Sequence, residues 1–172
     1  MGLTLRPGAG APSTGRRHAL VDSPIGPLAL VDEDGALAAL SVEGARQGPV
    51  PASFGPRDDD ALPHLRAQLD EYFAGRLTEF EADVVLHGTP FQQRVWRALA
   101  GVGYGTTATY GRIAREIGAP RAAQAVGAAN GRNPVSLLVP CHRVVGADGR
   151  LTGYAGGTAR KEFLLRLEGA LL

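Results

Sequence analysis

Residues 125–146 read AVGAANGRNPVSLLVPCHRVVG, and the organisation of the chain can be worked out from this stretch. Its alanine-rich start has helical character and stops at Gly131. Asn133-Pro134 is a turn signal. Val135–Val139 is a short apolar run that reads as a buried strand. Pro140 then breaks the strand and turns the chain into Cys141, His142 and Arg143. Cys141 is the one cysteine among 172 residues. A single cysteine excludes an internal disulfide, a cysteine-based zinc site and an iron–sulfur cluster. It is either a small buried hydrophobe or a nucleophile. The preceding proline, a histidine able to help deprotonate a thiol, and the charge of Arg143 favour the nucleophile. Successive strand residues point to opposite faces, so a Cys141–His142 relay needs the chain to turn there or a water between the two.

Beyond this stretch, Val144–Tyr154 is a glycine-rich turn segment. Lys161–Glu168 is a closing helix with Phe163, Leu164 and Leu167 inward. Glu168 opposes the helix dipole there, as either a solvated surface acid or the group that orients His142. Asn133 is either a turn residue or a brace for the segment that delivers Cys141. Tyr110 is either core or a phenol that donates a proton. Upstream, Thr89 caps a helix whose first position is Pro90. Phe91, Val95, Trp96 and Leu99 share one face of it, and it ends near Gly101. Residues 109–118 form a short helix ending in glycine, and 121–130 a second. Helix, glycine turn, helix resembles a helix-turn-helix. Ala122, Ala123, Ala125, Ala128 and Ala129 serve either tight packing or close approach to a minor groove, which is about 6 Å wide.

Toward the N-terminus, His18–Val21, Leu28–Val31 and Ala36–Val42 are apolar runs separated by turn residues, the pattern of an antiparallel meander. Residues 44–58 form a Gly/Pro loop. Asp58–Asp60 then lead into Leu62, Leu65, Leu69, Tyr72 and Phe73 at helical spacing, with Gly75 as the stop. Phe80–His87 alternates as another strand. The length fits one large domain or two small ones, at roughly 150 residues per domain. The reading is a flexible tail over 1–16, an N-terminal α/β domain over 17–87 and a C-terminal domain over 88–172. No run approaches the ~20 apolar residues of a membrane span. The first residues have no apolar signal-peptide core, and Arg6 breaks the myristoylation pattern. The chain is expected to be soluble, in a reducing, cytoplasmic compartment. Its arginine bias, seventeen to one lysine, points to GC-rich coding and a bacterium. The net charge of +1 hides an asymmetry. Residues 1–89 carry seven Arg and thirteen acids, a net of −6, whereas residues 90–172 carry eleven cations and four acids, a net of +7. That division fits either a polyanion-binding face on the second lobe or two ordinary surfaces.

The chain resembles the O6-alkylguanine-DNA alkyltransferases, also called methylated-DNA–protein-cysteine methyltransferases. The resemblance rests on SPIGPL at 23–28, YFAGRLTEF at 72–80, GTPFQQRVWRAL at 88–99, TYGRIA at 109–114, the stretch at 125–146 with NPV and PCHRV, LTGYAGG, and KEFLLRLEG through 169. It implies an α+β fold: a ribonuclease-H-like N-terminal lobe with an antiparallel sheet, and a mostly helical C-terminal lobe with a winged-helix-like helix-turn-helix. It implies direct-reversal repair of O6-alkylguanine, and of O4-alkylthymine, in double-stranded DNA. The nucleotide is flipped out, and its alkyl group passes once and irreversibly to Cys141. His142 is implied as the water-mediated base, Glu168 as the acid that holds it, Asn133 as the hinge and Tyr110 as the proton donor. Val144, Tyr154, Ala155 and Gly156 are implied around the flipped base. Gly111, Arg121, Gln124, Ala125, Gly127, Ala128 and Arg132 are implied on the DNA-binding surface, with the second helix in the minor groove. No cofactor or metal is implied, and neither the N-terminal zinc cysteines of some members nor their zinc-binding sensor domain has a counterpart in this sequence. A monomer that can bind DNA cooperatively is implied. Gln124 stands where the family usually has an arginine that replaces the flipped base, and Ala155 where some members have serine. A non-catalytic protein that flags alkylguanine for another pathway is the alternative, and Cys141 speaks against it; a cysteine hydrolase would need an oxyanion hole and turnover.

Overall fold

The computed structural model describes residues 2–8, 15–46 and 49–171. The N-terminal lobe is built on a five-stranded sheet in the order β1-β5-β4-β3-β2. The meander expected from the sequence is β2 (Arg16–Val21), β3 (Leu28–Glu33) and β4 (Ala36–Val42), antiparallel throughout. β3 and β4 are buried along almost their whole length, which explains why they read as continuous apolar runs.

Two features differ from the sequence reading. β5 (Ala82–Leu86) joins the sheet in parallel to β4, so the sheet is mixed at that side. Residues 3–7, read as part of a loose tail, form β1 (Leu3–Pro7), parallel to β5 from Leu3 opposite Ala82 to Pro7 opposite Leu86. The alternation Leu3, Thr4, Leu5, Arg6 is the reason, because Leu3 and Leu5 pack on the core. Of the remaining tail, Met1 and residues 9–14 lie outside the described residues.

α1 (Pro63–Phe73) places Leu65, Leu69 and Tyr72 against the sheet. Its start also differs from expectation. The first turn carries no acidic residue, and Leu62 enters it with φ 51°. Asp58 and Asp59 instead bind Arg17 at 2.6 Å and Arg57 at 2.8 Å. Gly75, with φ 76°, ends this stretch as read.

The second lobe is helical. α2 (Pro90–Ala100) starts with the expected cap, strengthened to a reciprocal pair: Thr89 Oγ1 accepts from Gln92 N at 3.1 Å and Gln92 Oε1 accepts from Thr89 N at 3.0 Å. α3 (Tyr110–Glu116) and α4 (Ala123–Gly131) follow, joined by the turn at 117–122. β6 (Ala108–Thr109) and β7 (Val144–Val145) pair in parallel, and α5 (Thr158–Leu167) closes the lobe. Along α5, Lys161, Leu164 and Leu165 are buried, Leu167 is half-buried and Phe163 faces solvent. The inward assignment of Phe163 is therefore corrected, and Lys161 takes a core position instead.

Val135–Val139 is not a strand. It touches β4 at one point, where Leu40 N donates to Pro134 O and Ser136 N donates to Leu40 O. It then coils through Leu137 at φ 72°. The run is apolar because it is buried, and a short apolar run does not report which conformation buries it.

Candidate active site

Asn133 shapes the segment that ends in Cys141. Its Oδ1 accepts from Val135 N at 3.0 Å and its Nδ2 donates to Val139 O at 2.7 Å, which ties the two ends of the coil together. Pro140 leads into a single 3-10 turn, Cys141–Arg143. The chain turn required for a Cys141–His142 relay is therefore present. Cys141 is 3% exposed and His142 fully buried.

His142 Nε2 lies 3.0 Å from Glu168 Oε2, and its Nδ1 is buried without a hydrogen-bond partner. Glu168 is 4% exposed. It is a buried acid bound to His142 and not a solvated surface group. Burial alone would raise its pKa, yet hydrogen bonds from Arg143 and His142 hold it at about 2. Arg143 grips both carboxylate oxygens, Nε to Oε1 at 2.8 Å and Nη2 to Oε2 at 2.9 Å, and its Nη1 donates to Val102 O. Arg143 therefore serves Glu168, and its expected role as a charge favouring the thiolate is not what the structure shows.

The cation acting on the thiol is Lys161. Its ammonium is buried and donates to the carbonyls of Val144 and Thr152. Loss of water pulls its pKa down to about 8, against the pull of the thiolate. Burial also pushes the Cys141 thiol up, with Asn133 and Lys161 opposing. Burial pushes His142 down, with Glu168 opposing. Both directions favour the neutral thiol–imidazole pair in the unliganded protein.

The β6–β7 pairing sets Ala108 against Val144 and Thr109 against Val145. Tyr110, which follows β6, is thus brought close to the segment after Cys141. The Tyr110 hydroxyl donates to Thr152 O at 3.0 Å. Gly153 makes this contact possible: at φ 71°, a Cβ there would stand 2.6 Å from the Tyr110 oxygen. Tyr110 is half-buried, so it is neither pure core nor free.

A cavity of about 490 Å³ opens between α4 and the 153–158 segment, lined among others by Gly127, Ala128, Gly131, Tyr154 and Ala155. Val144 and Gly156 do not line it, and neither does Cys141. The Tyr154 hydroxyl is buried without a partner. Arg46, which the sequence reading missed, also lines the cavity from the N-terminal lobe, and its backbone N donates to Ala155 O at 3.1 Å.

α4 has a buried face and an exposed one. Val126, Ala129 and Asn130 are buried, and Trp96 Nε1 donates to Ala129 O at 2.9 Å. Gln124, Ala125 and Ala128 are exposed. One face packs, and the other presents small side chains and a reachable backbone. Arg121 is exposed in the turn before the helix, and Gly111 is half-buried in the first turn of α3. Arg132 follows α4 and lines a different cavity, of about 590 Å³, with Arg16, His87 and Trp96. Tyr72, also missed, donates its hydroxyl to Glu168 Oε2 at 2.7 Å. Its helical spacing with Leu65 and Leu69 marked it as core, and its place in the YFAGRLTEF segment was the one further signal in the sequence. Among the described residues, no helix is long and apolar enough to cross a membrane.

Two family descriptions match the chain. The ribonuclease-like domain of 6-O-methylguanine DNA methyltransferase matches residues 17–86, and the DNA-binding domain matches residues 90–170. A methylated-DNA–protein-cysteine methyltransferase of Mycobacterium bovis is 52% identical over 148 residues, covering 86% of this chain and 89% of its own. One from Methanosarcina acetivorans is 47% identical over 154 residues, covering 89% and 98%. The crystal structure of Mycobacterium tuberculosis OGT in complex with DNA superposes with a TM-score of 0.85 at 49% identity, covering 90% of this chain and 93% of that one. The chain belongs to the 6-O-methylguanine DNA methyltransferase family.

Proposed function

We propose that this protein is a methylated-DNA–protein-cysteine methyltransferase. It transfers the alkyl group of O6-alkylguanine, and of O4-alkylthymine, in double-stranded DNA to Cys141. The observation that carries the reading is His142: buried, tied through Nε2 to Glu168, with Nδ1 left without a partner, and preceded in the chain by the buried Cys141.

The exposed small-residue face of α4 enters the minor groove, and the damaged nucleotide is extruded toward the cavity flanked by Tyr154 and Ala155, since a thiol cannot reach the exocyclic oxygen inside the stack. The thiol proton passes through a water to His142 Nδ1, and Glu168 stabilises the imidazolium. Sγ attacks the alkyl carbon; the S–C bond forms as the C–O6 bond breaks. The electron pair spreads into the purine and draws a proton from Tyr110, which leaves its bond to Thr152 O to reach the base. The product is a thioether that hydrolysis does not reverse, so each molecule acts once. The protein works as a monomer in the bacterial cytoplasm, on nucleoid DNA, with its basic lobe toward the duplex.

The test is intact mass after incubation with a duplex carrying O6-methylguanine. The expected result is a gain of one methyl group that disappears in Cys141→Ser. Tight binding without any mass gain refutes transfer and favours a protein that only flags the lesion.

A further inference from the structure

The relay acid is also held from the other lobe. Tyr72 lies in α1, 96 residues from Glu168, and is 1% exposed. Its ring is fixed by Phe73, Phe80 and Tyr104, at centroid distances of 5.1, 5.2 and 6.4 Å. Packing therefore delivers the hydroxyl to Glu168 Oε2 at 2.7 Å. The same oxygen takes Arg143 Nη2 at 2.9 Å and His142 Nε2 at 3.0 Å.

These three donors do different jobs. The Arg143 fork holds both carboxylate oxygens, so the position of Glu168 is secured without Tyr72. A carboxylate oxygen shared among several donors is a weaker acceptor toward each. The Tyr72 hydroxyl thus competes with His142 for Oε2, and the competition matters most when His142 carries a second proton. The groups facing this relay are Cys141 before His142, Arg143 after it, Lys161 and Glu168 from α5 and its end, Tyr72 from α1, and Tyr104 beside Arg143.

We propose that Tyr72 is a positioning residue of the relay, supplied by the N-terminal lobe, which acts through Glu168 to set the pH at which His142 takes up the thiol proton. The proposal rests on the transfer reading for Cys141, His142 and Glu168. Removing the hydroxyl while keeping the ring strengthens Glu168 as the acceptor for His142.

The experiment compares wild type, Tyr72→Phe, Glu168→Gln and the double variant. It follows the His142 ring titration by NMR, methyl transfer against pH by intact mass, and thermal unfolding. Tyr72→Phe is expected to raise the His142 midpoint by about half a pH unit. The acid limb of the transfer rate should move with it, and the shift should vanish in the Glu168→Gln background. Several results overturn the proposal: superimposable titrations, a ring neutral down to acid unfolding in both proteins, an equal shift without Glu168, or a lower Tm with an unmoved midpoint. A wild type that transfers no methyl, alongside a shifted His142 in Tyr72→Phe, refutes the transfer reading and leaves the coupling standing.

Discussion

Replacing Asn133 with alanine tests whether the coil before Cys141 is the device that aims the thiol. The side chain makes two buried bonds, at 2.7 Å to Val139 O and 3.0 Å from Val135 N. Each is worth about 1 kcal/mol net, and each stranded backbone group at this depth adds a further penalty of about 1 kcal/mol or more. The expected loss is about 4 kcal/mol. For a chain of this size that corresponds to a fall in Tm of roughly 8–16 °C. Asn133→Asp separates the two bonds. It keeps an acceptor for Val135 N but sets a carboxylate against Val139 O in place of a donor. It also puts a negative charge near a thiol that must ionise. Its transfer rate should therefore fall further than that of the alanine variant. Denaturant unfolding and single-turnover methyl transfer, measured on the same preparations, check both parts. A loss under about 1 kcal/mol with transfer at the wild-type rate in both variants would refute the reasoning.

Gln124→Arg on the exposed face of α4 is expected to tighten DNA binding about fivefold, close to 1 kcal/mol, or to speed repair; fluorescence-anisotropy titration and transfer kinetics that both stay unchanged sink it. Gly153→Ala combines a backbone at φ 71° with a Cβ 2.6 Å from the Tyr110 oxygen. It should cost about 1–2 kcal/mol in thermal unfolding and slow transfer by displacing Tyr110; normal kinetics would contradict the placement. Glu168 is held at about 2, below its ordinary 4.5. Its contribution to stability is present above pH 4.5 and is lost as pH falls toward 2. Wild type should lose about 3 kcal/mol more than Glu168→Gln over that range, and parallel acid-unfolding curves for the two would rule this out.

The residues that carry local signals were legible. Thr89-Pro90, the meander turns and the glycine ends of α1 and α3 each depend on neighbours in sequence. The errors fall where the deciding contact is distant. Leu3 and Leu5 become a strand only because β5 offers a parallel edge. Val135–Val139 stays apolar while coiling, because Asn133 replaces the ladder bonds a strand would have made. Asp58 binds Arg17 of β2, far away in sequence, and not the α1 dipole. At the site, Cys141, His142 and Glu168 stood out as candidates from their local context, each beside an ordinary structural reading, and the family resemblance implied which role each takes, since local sequence does not reveal distant partners. The direction of Arg143, the burial of Lys161 beneath the 144–152 segment and the reach of Tyr72 across the lobes depend on tertiary packing alone.

The electrostatics of the site bear on how a single-use thiol survives until it meets its target. If Arg143 had acted on Cys141 as the local sequence suggested, the thiol would stand as a thiolate in the free protein and react with any small electrophile. The arginine is instead spent on Glu168, and burial raises Cys141 while lowering His142. The resting pair is neutral and the thiol covered. On the proposed reading, reactivity requires three things together: a nucleotide in the pocket, a proton path to His142 Nδ1, and Tyr110 released from Thr152 O. A free electrophile supplies none of them. Discrimination then follows from arrangement more than from intrinsic nucleophilicity. Iodoacetamide should accordingly label Cys141 far more slowly than an exposed cysteine of ordinary pKa, while an O6-methylguanine duplex consumes it rapidly. Equal rates with the two reagents would show that the buried, neutral thiol offers no such protection.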